Sequence, residues 1–263
     1  MTATYDRLER LVCAGIHGLG AFAFPAQCLL CHELLQRPLL SPLCERCTEG
    51  LPRIEPPFCE SCGLPYAASV APGLCGPCRG GERVFRKARA GLLYDERVRR
   101  LLLALKFGGR ARLGTLFGRL AAERWCRAGE LEDYAAVIPL PLSSRRRRAR
   151  GFNQAAIAAR AVAAIAGAPM RPRLLVKTKD NRPQAGLSAS ARKSNVSGAY
   201  RGRVPRKMAG CRLLLVDDVL TTGATANSAA RALLRAGAGA VDVLTIARVP
   251  AFALRASARQ APC

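Results

Sequence analysis

Two sets of residues in this chain carry side chains whose types and spacing can do chemistry. The first is made of cysteines: eight of the twelve fall in four CxxC pairs, Cys28/Cys31, Cys44/Cys47, Cys59/Cys62 and Cys75/Cys78, with 12, 11 and 12 residues between successive pairs. A thiolate is a soft ligand, and tetrahedral zinc takes four of them at about 2.3 Å. One CxxC turn supplies two ligands and two turns close a structural site, so four turns provide for two zinc ions. The spacing admits two pairings, a sequential one (Cys28, Cys31, Cys44 and Cys47 on one ion, Cys59, Cys62, Cys75 and Cys78 on the other) and a cross-braced one using alternate turns. A disulfide framework needs an oxidising compartment, and a redox CxxC ordinarily occurs once, beside a βαβ unit. Zinc and the cytoplasm are therefore the expectation. Cys13, Cys126, Cys211 and Cys263 fall outside the pattern and read as core or surface thiols. His32, next to Cys31, is an alternate ligand in principle, but complete cysteine pairs give it a solvent-exposed role.

The second set lies in the run from Leu213 to Thr225, LLLVDDVLTTGAT. Its four leading apolar residues read as a buried parallel strand, followed by Asp217 and Asp218 and by a small, hydroxyl-rich loop leading into an Ala-rich helix. In open α/β sheets ligands bind beyond the carboxyl ends of the strands, and a helix N-terminus offers unpaired N–H groups to an anion. Thr221, Thr222, Gly223, Ala224 and Thr225 can thus hold a phosphate monoester. An ionised carboxylate is acceptor-only, which suits Asp217 and Asp218 to vicinal sugar hydroxyls. This stretch resembles the phosphoribosyl pyrophosphate (PRPP) signature of type I phosphoribosyltransferases. The resemblance implies that the acid pair binds the ribose hydroxyls, in the catalytic centre, and that the loop binds the 5′-phosphate.

A double zinc ribbon followed by that signature is similar to the architecture of the ComF/GntX family of bacterial competence-associated proteins. Further segments carry the same resemblance: Pro139-Leu140-Pro141-Leu142 followed by Arg145 to Arg148 and Arg150-Gly151-Phe152-Asn153-Gln154, and Asn181 to Ser188 with Arg192, Asn195 and Val196 after it. The implied fold class is α/β, a parallel-sheet type I phosphoribosyltransferase fold preceded by a small double zinc-ribbon module. It also implies magnesium accompanying PRPP, and links to natural transformation, single-stranded DNA and competence-machinery proteins. Two mobile parts are expected on the same ground. One is a loop over 141–150, whose Arg145, Arg146, Arg147, Arg148 and Arg150 could meet pyrophosphate or nucleic acid with forked donors. The other is a polar, basic lid over 178–198.

Charge supports a polyanionic partner. The formal net charge is +24, and residues 139–210 hold 17 Lys or Arg against a single acid, Asp180. Such a field attracts polyanions, although an Arg-rich, Ala-rich composition has a bland reading as a solvated surface. Single strands stack on aromatics, which are only 5% of the chain, so the candidates are few: Phe107, Phe152, Tyr200 and Tyr94. With only His17 and His32 available, a serine–histidine triad is excluded. Residues 11–26 lack Asp, Glu, Lys and Arg, but His17 and several glycines dilute the run and acids lie among the preceding basic residues. A signal peptide is rejected there, and the stretch is too short for a membrane span.

The rest alternates. Strands are predicted over 84–94, 135–140, 174–176, 212–216 and 241–247, and helices over 96–106, 112–128, 152–166 and 224–236, an alternation that implies a parallel sheet. The domains are expected at 1–26 (a helical lead-in), 27–80 (the double zinc ribbon), 81–250 (the phosphoribosyltransferase-like domain) and 251–263 (a tail). Two functions stay open. One is a phosphoribosyltransferase acting on an unidentified acceptor. The other is a non-catalytic DNA- or partner-binding protein that keeps the PRPP pocket for regulation or as a vestige. Either way, the purified chain should carry about two zinc ions, at four thiolates per ion. Elemental analysis after gel filtration measures this, and a metal content near zero with disulfides present would overturn both the zinc and the cytoplasmic expectation.

Overall fold

The computed structural model describes residues 26–250 except 37, 39, 40, 68, 82, 128, 130, 132 and 179–197. The expected lead-in, lid and tail lie outside the described residues, apart from the ends of the lid. The chain forms two compact units, one ending at Leu51 and the other beginning at Pro52. Among its described residues the first contains Cys28 to Cys47 and a short helix, α1 (Glu45–Glu49), whose N-cap residue Cys44 accepts the Cys47 N–H on its sulfur.

The second unit holds the remaining cysteine turns and the whole parallel sheet, so the expected boundary at Gly80-Gly81 falls inside it. The reason is packing. Cys59, Cys62, Cys75 and Cys78 share one apolar cluster with Phe85, Leu213, Leu215 and Val243. Strand β1 (Ala88–Leu93) begins by donating the Ala88 N–H to the Ser61 carbonyl at 2.6 Å. The turn through helix α2 (Gly76–Arg79) is thereby built into the α/β core.

After β1 come helices α3 (Glu96–Phe107) and α4 (Ala111–Arg127), strand β2 (Ala136–Pro139), helices α5 (Ser144–Arg150) and α6 (Gln154–Ile165), and strands β3 (Leu175–Lys177) and β4 (Tyr200–Gly202). Strand β5 (Arg212–Leu220), helix α7 (Ala224–Arg235) and strand β6 (Ala240–Arg248) complete the order. The main sheet runs β1-β6-β5-β2, and every pair in it is parallel. Helices α4 and α6 pack on one another and on the sheet, while α7 packs on β5, β6 and the β3–β4 pair. With cover on both faces, Leu213, Leu214, Leu215 and Val216 are all buried, which is why this strand reads as a continuous apolar run rather than an alternating one. The α4–α6 approach is close enough that a Cβ on Gly118 would lie 2.4 Å from the Ala158 carbonyl oxygen.

Three expectations change. The segment over 174–176 is not a strand of the main sheet: Leu175–Lys177 pairs antiparallel with Tyr200–Gly202, in a separate two-stranded sheet. The expected loop over 141–150 is largely helical. Ser143 caps α5 by accepting the Arg146 N–H, the arginines are good helix formers, and Gly151 ends the helix at φ 75°, a left-handed conformation suited to glycine. Strand β5 also runs four residues past Val216, so the acid pair lies within its pairing with β6 rather than after it.

Candidate functional site: two cysteine centres and a carboxylate cleft

The cysteines gather sequentially. Cys28, Cys31, Cys44 and Cys47 form one group, and Cys59, Cys62, Cys75 and Cys78 the other, with the ligand atoms in each group within 4.8 Å of one another. The cross-braced pairing is thereby excluded. Cys31 and Cys44 sulfurs are 3.7 Å apart, and those of Cys62 and Cys75 are 3.6 Å apart. A tetrahedron with zinc–sulfur bonds of about 2.3 Å has edges of about 3.8 Å, whereas a disulfide is about 2.05 Å long. The donor sets therefore fit two zinc ions.

Backbone N–H groups complete the fit: Cys44 N donates to Cys28 Sγ at 3.4 Å, and Cys75 N to Cys59 Sγ at 3.3 Å. Burial works against the Cys28 and Cys59 thiolates, but these backbone donors outweigh it and bring both thiols down to about 6. Burial pushes Cys47 and Cys75 up instead, with close thiols adding to the effect. A divalent cation is what allows all four sulfurs of such a group to ionise together. His32 is exposed, at φ 62°, and is not among the grouped ligands. Cys126 is exposed and Cys211 half-buried, both as free thiols.

The acid pair sits where β5 outlasts β2. The last register pair between these strands is Pro139 with Val216, followed only by the Leu140 N–H donating to the Val216 carbonyl at 2.8 Å. Beyond that point one edge of β5 is open, and groups from other elements converge on it. Lys106 Nζ, from the last turn of α3, lies 2.6 Å from Asp218 Oδ2, and Gln154 Nε2, the first residue of α6, donates to the same oxygen at 3.1 Å. The other oxygen of Asp218 accepts the Val219 N–H at 2.8 Å, and Asp217 Oδ1 accepts the Asp218 N–H at 2.8 Å.

These partners split the two carboxyls electrostatically. Burial, and then the Asp218 charge, push Asp217 well above its ordinary range. Burial also opposes the Asp218 charge, but Lys106, Gln154 and the Val219 N–H outweigh it and hold Asp218 below the ordinary range. Gln154 is buried, and its Oε1 has no hydrogen-bond partner, an acceptor left open beside the acid pair.

Past Leu220 the chain turns through Thr221, Thr222 and Gly223 into α7. Gly223, the N-cap residue, has φ 80°, a left-handed conformation that calls for glycine, and the Arg83 guanidinium lies against it. Thr221, Thr222 and Thr225 are exposed, and Thr222 Oγ1 accepts the Ala224 N–H at 3.4 Å. Arg145, Arg146, Arg147 and Arg148 are exposed on α5, just after the carboxyl end of β2. Arg150 instead turns its guanidinium over the ring of Phe107 at 5.1 Å. Phe107 is 71% exposed; among the other aromatic candidates Tyr200 is buried and Phe152 and Tyr94 are half-buried.

Sequence reasoning missed Lys106 and Gln154. Gln154 closes the Arg150–Gln154 segment already singled out, and that segment's Asn153 both caps α6 and donates to the Leu140 carbonyl at 3.0 Å, which carries Gln154 to Asp218. Lys106 had only the charged exit of its helix as a signal.

A parallel α/β sheet with a carboxylate pair and small-residue loop at the end of one strand, in a chain with two four-cysteine centres, defines a zinc-ribbon protein of the phosphoribosyltransferase fold class. A double zinc ribbon domain model matches residues 19–79. The chain is 30% identical over 227 residues to the DNA utilization protein YhgH of Salmonella typhimurium, covering 85% of this chain and 97% of that protein. It is 30% identical to competence protein F of Haemophilus influenzae, over 78% of this chain and 90% of that protein, and 27% identical to competence protein ComFC of Bacillus subtilis, over 84% and 94%. The chain belongs to the ComF/GntX family. Among solved structures it is similar to a phosphoribosyltransferase from Corynebacterium diphtheriae, with 22% identity, 57% of this chain and 80% of that chain covered, and a TM-score of 0.31.

The split between the carboxyls makes a testable statement about stability. In the unfolded chain Asp217 loses its proton near about 3.9. The folded chain holds that proton to higher pH, so stability falls as pH rises from the ordinary carboxylate range through the raised folded value. Asp217→Asn keeps the oxygen that accepts the Asp218 N–H and removes the charge. Its thermal midpoint should exceed that of the parent chain at pH 7, and the gap should close below about pH 4. Equal midpoints at pH 7 would show that Asp217 is not destabilised by its surroundings.

Proposed function

We propose that this chain binds PRPP with magnesium in the cleft formed by Asp217, Asp218 and residues 221–225, as a phosphoribosyltransferase-like protein of the cytoplasm. The observation that carries the reading is the acid pair at the open edge of β5, with the unpartnered Gln154 Oε1 beside it. Vicinal ribose hydroxyls supply donors that such a set lacks, since an ionised carboxylate can only accept. The exposed threonines and the N-terminal amides of α7 suit a 5′-phosphate. Magnesium, held through PRPP oxygens and the acid pair, would add cationic charge for the leaving pyrophosphate, and Lys106 adds more from the protein.

Calorimetry tests the reading. PRPP binding should require magnesium and fall at least about 100-fold in Asp217→Asn/Asp218→Asn, because each charge-assisted hydrogen bond is worth about 1.5–3 kcal/mol. Undiminished affinity in a folded double variant would make the acids a structural cap. Pyrophosphate release assayed against a panel of bases and oligonucleotides separates a transferase from a binding protein.

A second reading, contact with single-stranded DNA, is favoured by the exposed helix α5 and the Phe107–Arg150 stack, and by relatives named for competence and DNA utilization. Each neutralised phosphate contributes about −0.7 to the salt slope of single-strand binding. Replacing Arg145, Arg146, Arg147 and Arg148 with Gln should flatten the slope for an oligonucleotide while changing PRPP affinity much less. An unchanged slope would return α5 to a solvated surface.

A further inference from the structure

Arg248, the last residue of β6, is 3% exposed and has no carboxylate within ion-pair distance among the described residues. Its Nη1 donates to the Leu220 carbonyl at 2.9 Å, to the Thr221 carbonyl and to the Val249 carbonyl at 3.1 Å. Its Nη2 points the other way, to Cys62 Sγ at 3.9 Å. A buried guanidinium is costly without a counter-charge. Neutral carbonyls solvate it without neutralising it. Four thiolates around a zinc ion carry a net charge of about −2, and Cys62, itself 1% exposed, is one of the four.

We propose that Arg248 is a positioning residue that uses the second zinc centre as its counter-ion and fixes the start of the 221–225 loop, so that metal at this centre governs the loop's order and its hold on a phosphate. The fork geometry matters: one nitrogen faces the sulfur while the other gathers the carbonyls at the point where β5 ends and the loop begins. Removing the metal takes away the ion that would hold the four sulfurs in one cluster against Arg248, and the guanidinium loses its fixed neighbour. The loop would then keep the Val249 N–H on the Leu220 carbonyl and its tether through Gly223 and the first turn of α7, but no side-chain hold on its first carbonyls. The affinity part of this proposal rests on the PRPP reading, while the ordering part does not.

The experiment compares the full-length chain with Arg248→Met, each with zinc loaded and after chelation. Zinc content is measured throughout, with hydrogen exchange over 219–226 and PRPP–magnesium calorimetry as readouts. Arg248→Met should keep both zinc ions, exchange over 219–226 at least about tenfold faster, and bind PRPP at least about tenfold more weakly, as expected for losing hydrogen bonds to a charged group. Chelation should speed exchange of the same segment in the parent chain and add little in Arg248→Met, because the connection is already cut. That non-additivity is what a purely structural arginine would not produce. Should Arg248→Met not fold, Arg248→Lys decides: it keeps a charge beside Cys62 but loses the fork, so its loop should exchange at an intermediate rate. Unchanged exchange in the folded variant, or equal effects of chelation in parent and variant, would overturn the proposal. Coupled exchange in a chain that binds no PRPP would overturn the PRPP reading and leave the Arg248 connection standing.

Discussion

The site depends on where the ladder between β2 and β5 stops. The Leu140 N–H to Val216 is the last link, because the Leu140 carbonyl that would take the next rung accepts the Asn153 side chain instead, and β5 goes on with β6 as its only paired strand among the described residues. A strand with neighbours on both sides would have no room beside Asp217 and Asp218. Here the vacated edge is filled by side chains instead, from the end of α3 and the start of α6. Asn153 ties that helix start to Leu140, so the residue at which one ladder ends also locates the amide that reaches Asp218.

Once two carboxyls are held side by side, Asp218 buried and Asp217 half-buried, they cannot share one environment. The structure resolves this by giving Asp218 its partners: Lys106, Gln154 and a backbone N–H. Asp217 receives a single backbone N–H and the repulsion of its neighbour. The outcome is an acid pair of which one member is neutralised by the protein and the other is left needing donors or a cation. Such an arrangement costs stability in the folded chain.

The two cysteine centres have the same ligand chemistry and different surroundings. In the first, only Cys28 is buried, and among the described residues of its unit the other buried apolar side chains are Leu43 and Leu51. The second is buried among core side chains, supplies the carbonyl on which β1 begins, and faces a buried arginine. The first set of sulfurs therefore belongs to its own unit, whereas the second is embedded in the packing of the sheet. A further ion pair closes the opposite end of that sheet: Asp242, fully buried on β6, accepts from Arg86, the Lys87 N–H and Tyr134.

What the sequence determined by itself was the chemistry that is local along the chain. Two thiols three residues apart share a turn, four apolar residues followed by acids and Thr-Gly make a strand, a cluster of acceptors and a helix start, and neither needs distant residues to be recognised. The two four-cysteine sets, the parallel α/β class, and an acid pair followed by a small-residue turn into a helix were legible for that reason. Tertiary structure alone decided which sulfurs meet, because spacings of 12, 11 and 12 residues let any two turns reach each other. It decided that Leu175–Lys177 leaves the main sheet, since an apolar triplet carries no record of its partner strand. It turned the expected loop over 141–150 into a capped helix, an outcome whose signals, Ser143 and Gly151, were visible but outweighed by the family resemblance. It also chose Lys106, Gln154 and Arg248, whose roles come from elements far apart in sequence being brought to one strand end. Burial and counter-charge are properties of the packed chain, and no residue type or spacing records which charge a buried arginine will face.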